Sequence, residues 1–253
     1  MAVRAARIAA AVLAAVSALL GPGAVRGGAA PTAPRVVTLS FDDGRASQAA
    51  AGPLLAARHL RGTFFIISRQ VNTGNDADAL SWAQIHHLAR AGNEIGGHTR
   101  THPHLPTLSR ADQVGEICGG RRDLFAQGFR PVSFAYPYGE YDATSEDVVR
   151  RCGYADGRGA FGGVETVPPA DRYAIRTPEN VTTSDTPAGL EGRTWAAPPG
   201  QWVNYVFHDV GGPTAYDDEY RITTEDFTTF LDWVRRQRDA GRIVVRTVGQ
   251  VAG

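Results

Sequence analysis

The sequence contains no lysine; its 26 basic residues are all arginine, a compositional bias rather than a chemical signature. It also lacks net charge, with 26 acidic residues against the 26 basic ones. The global balance therefore gives no reason to expect a nucleic-acid partner. Cysteine is nearly absent, and the spacing of Cys118 and Cys152 is unlike that of a thiolate metal site. In an exported chain such a pair is a candidate disulfide between two successive helices, the other reading being two separate buried thiols. Long hydrophobic runs are lacking too. The apolar stretch from Ile8 to Leu20 is too short for a membrane span. Arg4 and Arg7 precede it, and Gly21-Pro22-Gly23 and small residues to Ala30 follow, the layout of a secretory leader. Residues 1–30 are thus expected to be signal peptide and linker, cut between Ala24 and Ala30, with an uncleaved anchor as the alternative. The remainder, 35–253, is expected to fold as one unit, slightly acidic once Arg4, Arg7 and Arg26 are gone.

What is present is a repeated alternation. Arg35–Phe41 is a β-branched, apolar run of the kind that forms a strand buried on both faces. Similar runs follow at Gly62–Ser68, Asn93–Gly97, Val132–Tyr136, Tyr154–Gly159, Tyr173–Arg176, Gln201–Phe207 and Arg242–Val248. Helical stretches lie between them: Ala46–His59, Ser81–Arg90, Ser109–Gln127, Ser145–Cys152 and Thr224–Ala240. Ser81 and Ser109 stand as caps, and Phe227, Phe230, Leu231 and Val234 form an inward stripe. Trp202 and Trp233 read as core. The Pro-, Gly- and Thr-rich segment Glu179–Gly200 yields no element. Strand–helix alternation on this scale predicts a parallel sheet with helical crossovers, and the number of repeats favours a closed barrel over an open sheet. The Asn180-Val181-Thr182 sequon carries no weight.

In such a barrel the chemistry sits at the C-terminal ends of the strands. Three histidines, His98, His102 and His104, fall within seven residues just after the Asn93–Gly97 strand. Neutral imidazole is the commonest ligand for a transition metal. His98 and His102 are close enough to reach one ion, although such pairs are often satisfied surface groups. Asp42-Asp43-Gly44 ends the first strand. Two adjacent carboxylates there are either a turn with a helix cap or a costly burial that a metal offsets. Tyr138 and His208 follow two further strands. Two histidines and a carboxylate make a common open metal site.

These residues resemble the polysaccharide deacetylase family, the chitooligosaccharide-deacetylase homology domain, over roughly Val36–Val251. Ser40-Phe41-Asp42-Asp43-Gly44 matches its T-F-D-D-G motif. His98, Thr99, His102 and Leu105 match H-[ST]-x-x-H with a later Leu. Ala135-Tyr136-Pro137-Tyr138-Gly139 matches R-x-P-[YF]-G except at its first position, and Val206-Phe207-His208 matches the last motif. The resemblance implies a distorted (β/α) barrel of about seven parallel strands. It implies one divalent metal, zinc foremost with cobalt, nickel or manganese as alternatives, held by Asp43, His98 and His102. Asp42 would be the general base, His208 the general acid, and the Tyr138 backbone N–H an oxyanion donor. The substrate would be a polysaccharide carrying N-acetylated sugars (chitin, peptidoglycan or an exopolysaccharide). The enzyme would be a monomer, secreted or in the cell envelope, with no nucleic-acid partner and no membrane span after signal removal.

Two rivals share these residues: an O-acetyl esterase on a polymer such as acetylxylan, and a glycan-binding protein with a decayed site. The family's third-motif Arg, which orients the base, is Ala135 here. Arg176, at another strand end, is the expected substitute. Trp195 and Asp185 are weak candidates for an acidic and Trp motif before the last histidine, a hydrophobic cap and a solvated loop being preferred. His104 is expected outside the metal, His59, His86 and His87 on the surface, and Tyr136 either in packing or at a sugar.

Overall fold

The order of elements follows directly from where the buried apolar runs fall. The computed structural model describes residues 32–72, 79–211 and 219–253; the expected leader lies outside them, as does most of the polar loop after Asn72. Strand β1 (Arg35–Phe41) leads through a 3-10 turn into helix α1 (Ala51–Ala56), then β2 (Thr63–Ile66), α2 (Trp82–Arg90) and β3 (Glu94–Gly97). Helix α3 (Arg110–Ala126), β4 (Ser133–Ala135), α4 (Ala143–Arg151), β5 (Asp156–Gly162) and β6 (Ile175–Thr177) follow. The chain ends with α5 (Pro187–Ala196), β7 (Trp202–Phe207), the short pair β8 (Asp209–Val210) and β9 (Arg221–Ile222), α6 (Thr224–Asp239), β10 (Ile243–Val245) and α7 (Val248–Ala252).

Seven parallel strands curl into an incomplete barrel in the order β6-β5-β4-β3-β2-β1-β7, parallel as the alternation predicts and of the number the family resemblance implies. Strand β1 is the spine. It pairs with β7 along Val36–Phe41, with β10 along Arg35–Val37, and with β2 at Ser40 and Phe41. Period-two alternation then sorts its side chains. Val37, Leu39 and Phe41 face outward into the main core, where Phe41 stacks on Phe64 and Phe207 and meets the edge of Phe227 from α6. Thr38 and Ser40 face the barrel interior and both donate to Asn204 Oδ1 of β7, 2.7 Å away in each case. A separate interior cluster of Phe65, Ala135, Ile175 and Trp202 is closed from below by Val248 and Val251 of α7. Space is tight there: a Cβ on Gly96 would lie 2.6 Å from the Phe65 ring, so only glycine fits that position of β3.

Three elements differ from expectation. Residues 46–59 do not form one helix, because Pro53 has no N–H to give to an upstream carbonyl; a 3-10 turn hands over to α1 instead. The supposedly featureless 179–200 segment contains α5, whose Thr186 cap and Pro187 are a helix-start signal hidden in loop-like composition. The last strand stops at Val245, and Thr247 caps α7. Cys118 of α3 and Cys152 at the end of α4 form a disulfide with their Cα atoms 5.0 Å apart. No helix among the described residues is long and apolar enough to cross a membrane.

Candidate active site

The alternation that puts Thr38 and Ser40 inside the barrel carries on to Asp42, which is 4% exposed at the interior end of β1. Asp43 then turns away from the strand in a left-handed conformation, φ 73°. On the loop after β3, Thr99 Oγ1 accepts from the His102 N–H at 3.0 Å. That closes a tight turn and brings His102 back over His98, their ring centroids 4.7 Å apart. Thr99 and His102 are also left-handed, as is Tyr138 after β4 (φ 57°). Such backbone is costly for non-glycine residues and persists where the surroundings fix it, commonly at functional sites.

The turn brings three ligand types together. One atom each from Asp43, His98 and His102 lies within 4.8 Å of the others. Asp43 Oδ1 is 3.4 Å from His98 Nε2 and 3.5 Å from His102 Nε2. His98 Nδ1 lies 2.8 Å from the Ala135 carbonyl, so it carries the proton and leaves the Nε2 lone pair facing Asp43. Burial, reinforced by His98, pulls the His102 pKa down to about 4, so its ring is neutral at neutral pH. Burial resists ionisation of Asp43, but its imidazole neighbours His98, His208 and His102 hold it well below the usual carboxylate range. A carboxylate and two imidazole nitrogens converging in this way are a donor set that fits a divalent cation.

Several neighbours were not legible in the local motifs. Arg45 donates from Nε to Asp43 Oδ2 at 3.1 Å and from Nη1 to Asp209 Oδ2 at 2.6 Å. It holds the far oxygen of Asp43 while Oδ1 faces the imidazoles. Gln48 Nε2 donates to the backbone carbonyls of Asp42 and His208, tying the ends of β1 and β7 together. The expected partner of Asp42, Arg176, is elsewhere: it binds Glu165 at 3.0 Å. Asp42 is instead bonded by Arg158 of β5, whose side chain is fully buried over the Phe65 ring. Arg158 is the register partner of Ala135 on the adjacent strand. Side chains at one level of neighbouring parallel strands point the same way, so the guanidinium reaches the barrel interior one strand over from position 135. Burial opposes the charge of Asp42, but Arg158, with His98 and His208, lowers its pKa. The available signal was an unpaired charge in mid-strand, a placement that demands a buried partner.

His208, at the end of β7, places Nε2 4.0 Å from Asp43 Oδ2. Burial lowers its pKa against the raising effect of Asp43 and Asp42, and its Nδ1 is buried without a hydrogen-bond partner. The Tyr138 ring is tilted over His102 and stacks on His104 at 3.9 Å. His104 itself is 2.9 Å from Glu140, so it braces Tyr138 from outside the ligand cluster. Asp42, Asp43, His98, His102, Tyr138 and His208 all line one cavity of about 410 Å³. Tyr136 lines it too, but its ring is buried and its hydroxyl donates to the Tyr173 carbonyl. Trp195 packs outside the barrel against Arg35 and Trp233, and Asp185 pairs with Arg193. His86 stacks on Phe129 from helix α2.

The sequence matches the family model for polysaccharide deacetylase over residues 29–156, just over half of the chain. The chain belongs to the polysaccharide deacetylase family. Chitin deacetylase 1 of Saccharomyces cerevisiae is 34% identical over 115 residues, 45% of this chain and 35% of that protein. Chitin deacetylase of Colletotrichum lindemuthianum is 29% identical over 131 residues, 49% of this chain and 50% of that one. The chain thus spans at most half the length of these curated relatives. A family 4 carbohydrate esterase from Streptomyces lividans, solved with acetate, shares the fold at TM-score 0.53 and 16% identity, over 86% of this chain and 92% of that one. The matched stretch of this polysaccharide deacetylase family member takes in Asp42, Asp43, His98, His102 and Tyr138 but ends before Arg158 and His208. The guanidinium that bonds Asp42 therefore comes from beyond the matched stretch.

Proposed function

We propose that the protein is an exported metal-dependent hydrolase that removes N-acetyl groups from N-acetylglucosamine units of a polysaccharide. The observation that carries this reading is the convergence of Asp43, His98 and His102 in one cavity, with Asp42 and His208 beside them. Asp43, His98 and His102 would hold the ion, zinc foremost. Such an ion polarises a carbonyl and lowers the pKa of water, the two requirements for attack on an unreactive acetamide.

The chain's own residues do the rest. Asp42 is kept ionised by Arg158 and accepts the proton of the attacking water. His208 supplies a proton to the departing nitrogen, since an amine leaves poorly unless protonated. The Tyr138 N–H, on the left-handed turn after β4, donates to the oxyanion. The buried guanidinium of Arg158 fixes the orientation of Asp42 while its other side rests on Phe65. The Cys118–Cys152 disulfide suits an oxidising compartment and supports export, with residues 35–253 as the catalytic unit and a polysaccharide as its partner.

Acetate release from N-acetylglucosamine oligomers and from acetylxylan by the zinc-loaded protein tests the reading. Release from the oligomers is expected. Release from acetylxylan alone would make it an O-acetyl esterase, and glycan binding that survives chelation without acetate from any substrate would make it a binding protein. Asp42→Asn should retain zinc and lose about 10²–10⁴-fold in turnover; full activity would remove Asp42 as the base.

A further inference from the structure

Phe161, at the C-terminal end of β5, is 61% exposed. It stands at the rim of the metal cavity, and two further cavities begin at its ring. One of these, about 290 Å³, shares Phe161, Asn180 and Tyr220 with the metal cavity, so the two form a continuous cleft. Its volume is on the scale of a small-ligand pocket. An aromatic ring is a poor choice for a solvated rim unless something apolar covers it, and one face of a hexose ring is apolar. Asn180, at the border of the two cavities, has a side-chain oxygen with no hydrogen-bond partner, an unmet acceptor where sugar hydroxyls would pass.

The charge of the second cavity narrows what can occupy it. Glu179, Asp185 and Glu219 line it, with Arg193 as its cation. Arg193 is committed to Asp185 at 2.8 Å and to the Glu179 backbone carbonyl at 3.2 Å. The carboxylates of Glu179 and Glu219 form no ion pair among the described residues, so they oppose an anionic occupant and favour a neutral or cationic one. We propose that this cavity binds the amino-sugar ring adjacent to the one being deacetylated, with Phe161 under its apolar face. A neighbouring glucosamine or N-acetylglucosamine is accepted and a uronic acid is refused. This deepens the proposed deacetylase reading and rests on it.

The probes are chitotetraose, a hyaluronan tetrasaccharide (the same acetylated sugar beside glucuronate) and 4-nitrophenyl acetate, which needs the metal cavity alone. For Phe161→Ala, KM for chitotetraose should rise about tenfold, with kcat within about twofold. Ester hydrolysis should fall by much less. Parallel loss on both substrates, or no loss on either, would overturn the proposal. The unmodified enzyme should prefer chitotetraose over the hyaluronan fragment at least tenfold in kcat/KM. Glu179→Gln with Glu219→Gln should shrink that preference several-fold; equal use of the two oligosaccharides would overturn the charge assignment. Calorimetric binding of chitotetraose to the protein separates the two levels. Tight binding that weakens about tenfold in Phe161→Ala without any acetate release would support the subsite and sink the deacetylase reading.

Discussion

Asp43 has two oxygens with different tasks, and Arg45 is what keeps them distinct. Its guanidinium bonds Oδ2 and is itself anchored by Asp209, which leaves Oδ1 toward His98 and His102. Outer partners of this kind typically tune metal affinity by about 10–100-fold. Arg45→Ala should weaken zinc binding by about that factor, read by competition with a chromophoric chelator; unchanged affinity would strip Arg45 of the role. At the opposite end of the barrel, Asp156 is fully buried beside Ser133 and Glu94. Burial, then the Glu94 carboxylate, pushes its pKa up to about 8. An acid raised in the folded state binds more protons there than in the unfolded chain. Its contribution is therefore complete below about pH 4 and is lost as the pH rises towards 8. Asp156→Asn mimics the protonated acid. It should flatten the fall in melting temperature between pH 6 and 9 and raise it at pH 9 by about 4–8 °C, equivalent to on the order of 2 kcal/mol. A variant that melts lower than the parent at pH 9 would exclude this account.

At the scale of elements, legibility depended on whether a residue's partner was local. Asp42, Asp43, His98, His102, Tyr138 and His208 each end a strand or open the loop after it, and their short motifs are visible in sequence. The contacts of Arg45 with Asp209, of Gln48 with His208 and of Arg158 with Asp42 join segments that meet only in the folded sheet, so no spacing announces them. Arg176 was a reasonable guess from its strand-end position, but its carboxylate partner is Glu165. The register of β4 against β5 supplies what spacing could not: Ala135 and Arg158 sit side by side at one level of the barrel. A small residue at 135 leaves room for the long one at 158. Arg158→Ala should cost about 10²-fold or more in turnover, since it leaves Asp42 buried and unpaired. Adding Ala135→Arg should recover a substantial part of the loss while zinc content stays constant. Failure of the double variant to exceed the single one would show that Arg158 is needed for more than its charge.

For the molecule as a whole, the alternation of strands and helices was enough to read a parallel sheet with helical crossovers, while the count of about seven barrel strands came from the family resemblance. How the barrel closes was hidden, because β6 and β7 do not pair with each other. The gap is spanned by Glu165, whose backbone exchanges hydrogen bonds of 2.9 and 2.8 Å with Trp202 at the start of β7. Its side chain, 2% exposed, accepts from the backbone N–H groups of Thr166 and Arg176 and from the Arg176 guanidinium. Burial works against this carboxylate, but those donors prevail and bring its pKa down to about 2. A depressed acid stabilises the fold above its unfolded pKa and loses that contribution as the pH falls towards the folded value. The seam should therefore weaken between about pH 4.5 and 2. Glu165→Ala strips two backbone donors of their acceptor and should cost on the order of 3 kcal/mol near pH 7. Arg176→Ala keeps the backbone bonds and loses only a half-exposed ion pair, which should cost less than about 1 kcal/mol. Urea unfolding of the two variants decides the matter. Equal losses would mean that the exposed guanidinium, not the buried carboxylate, holds the barrel shut, and no loss in Glu165→Ala would mean that the backbone bridge to Trp202 suffices alone.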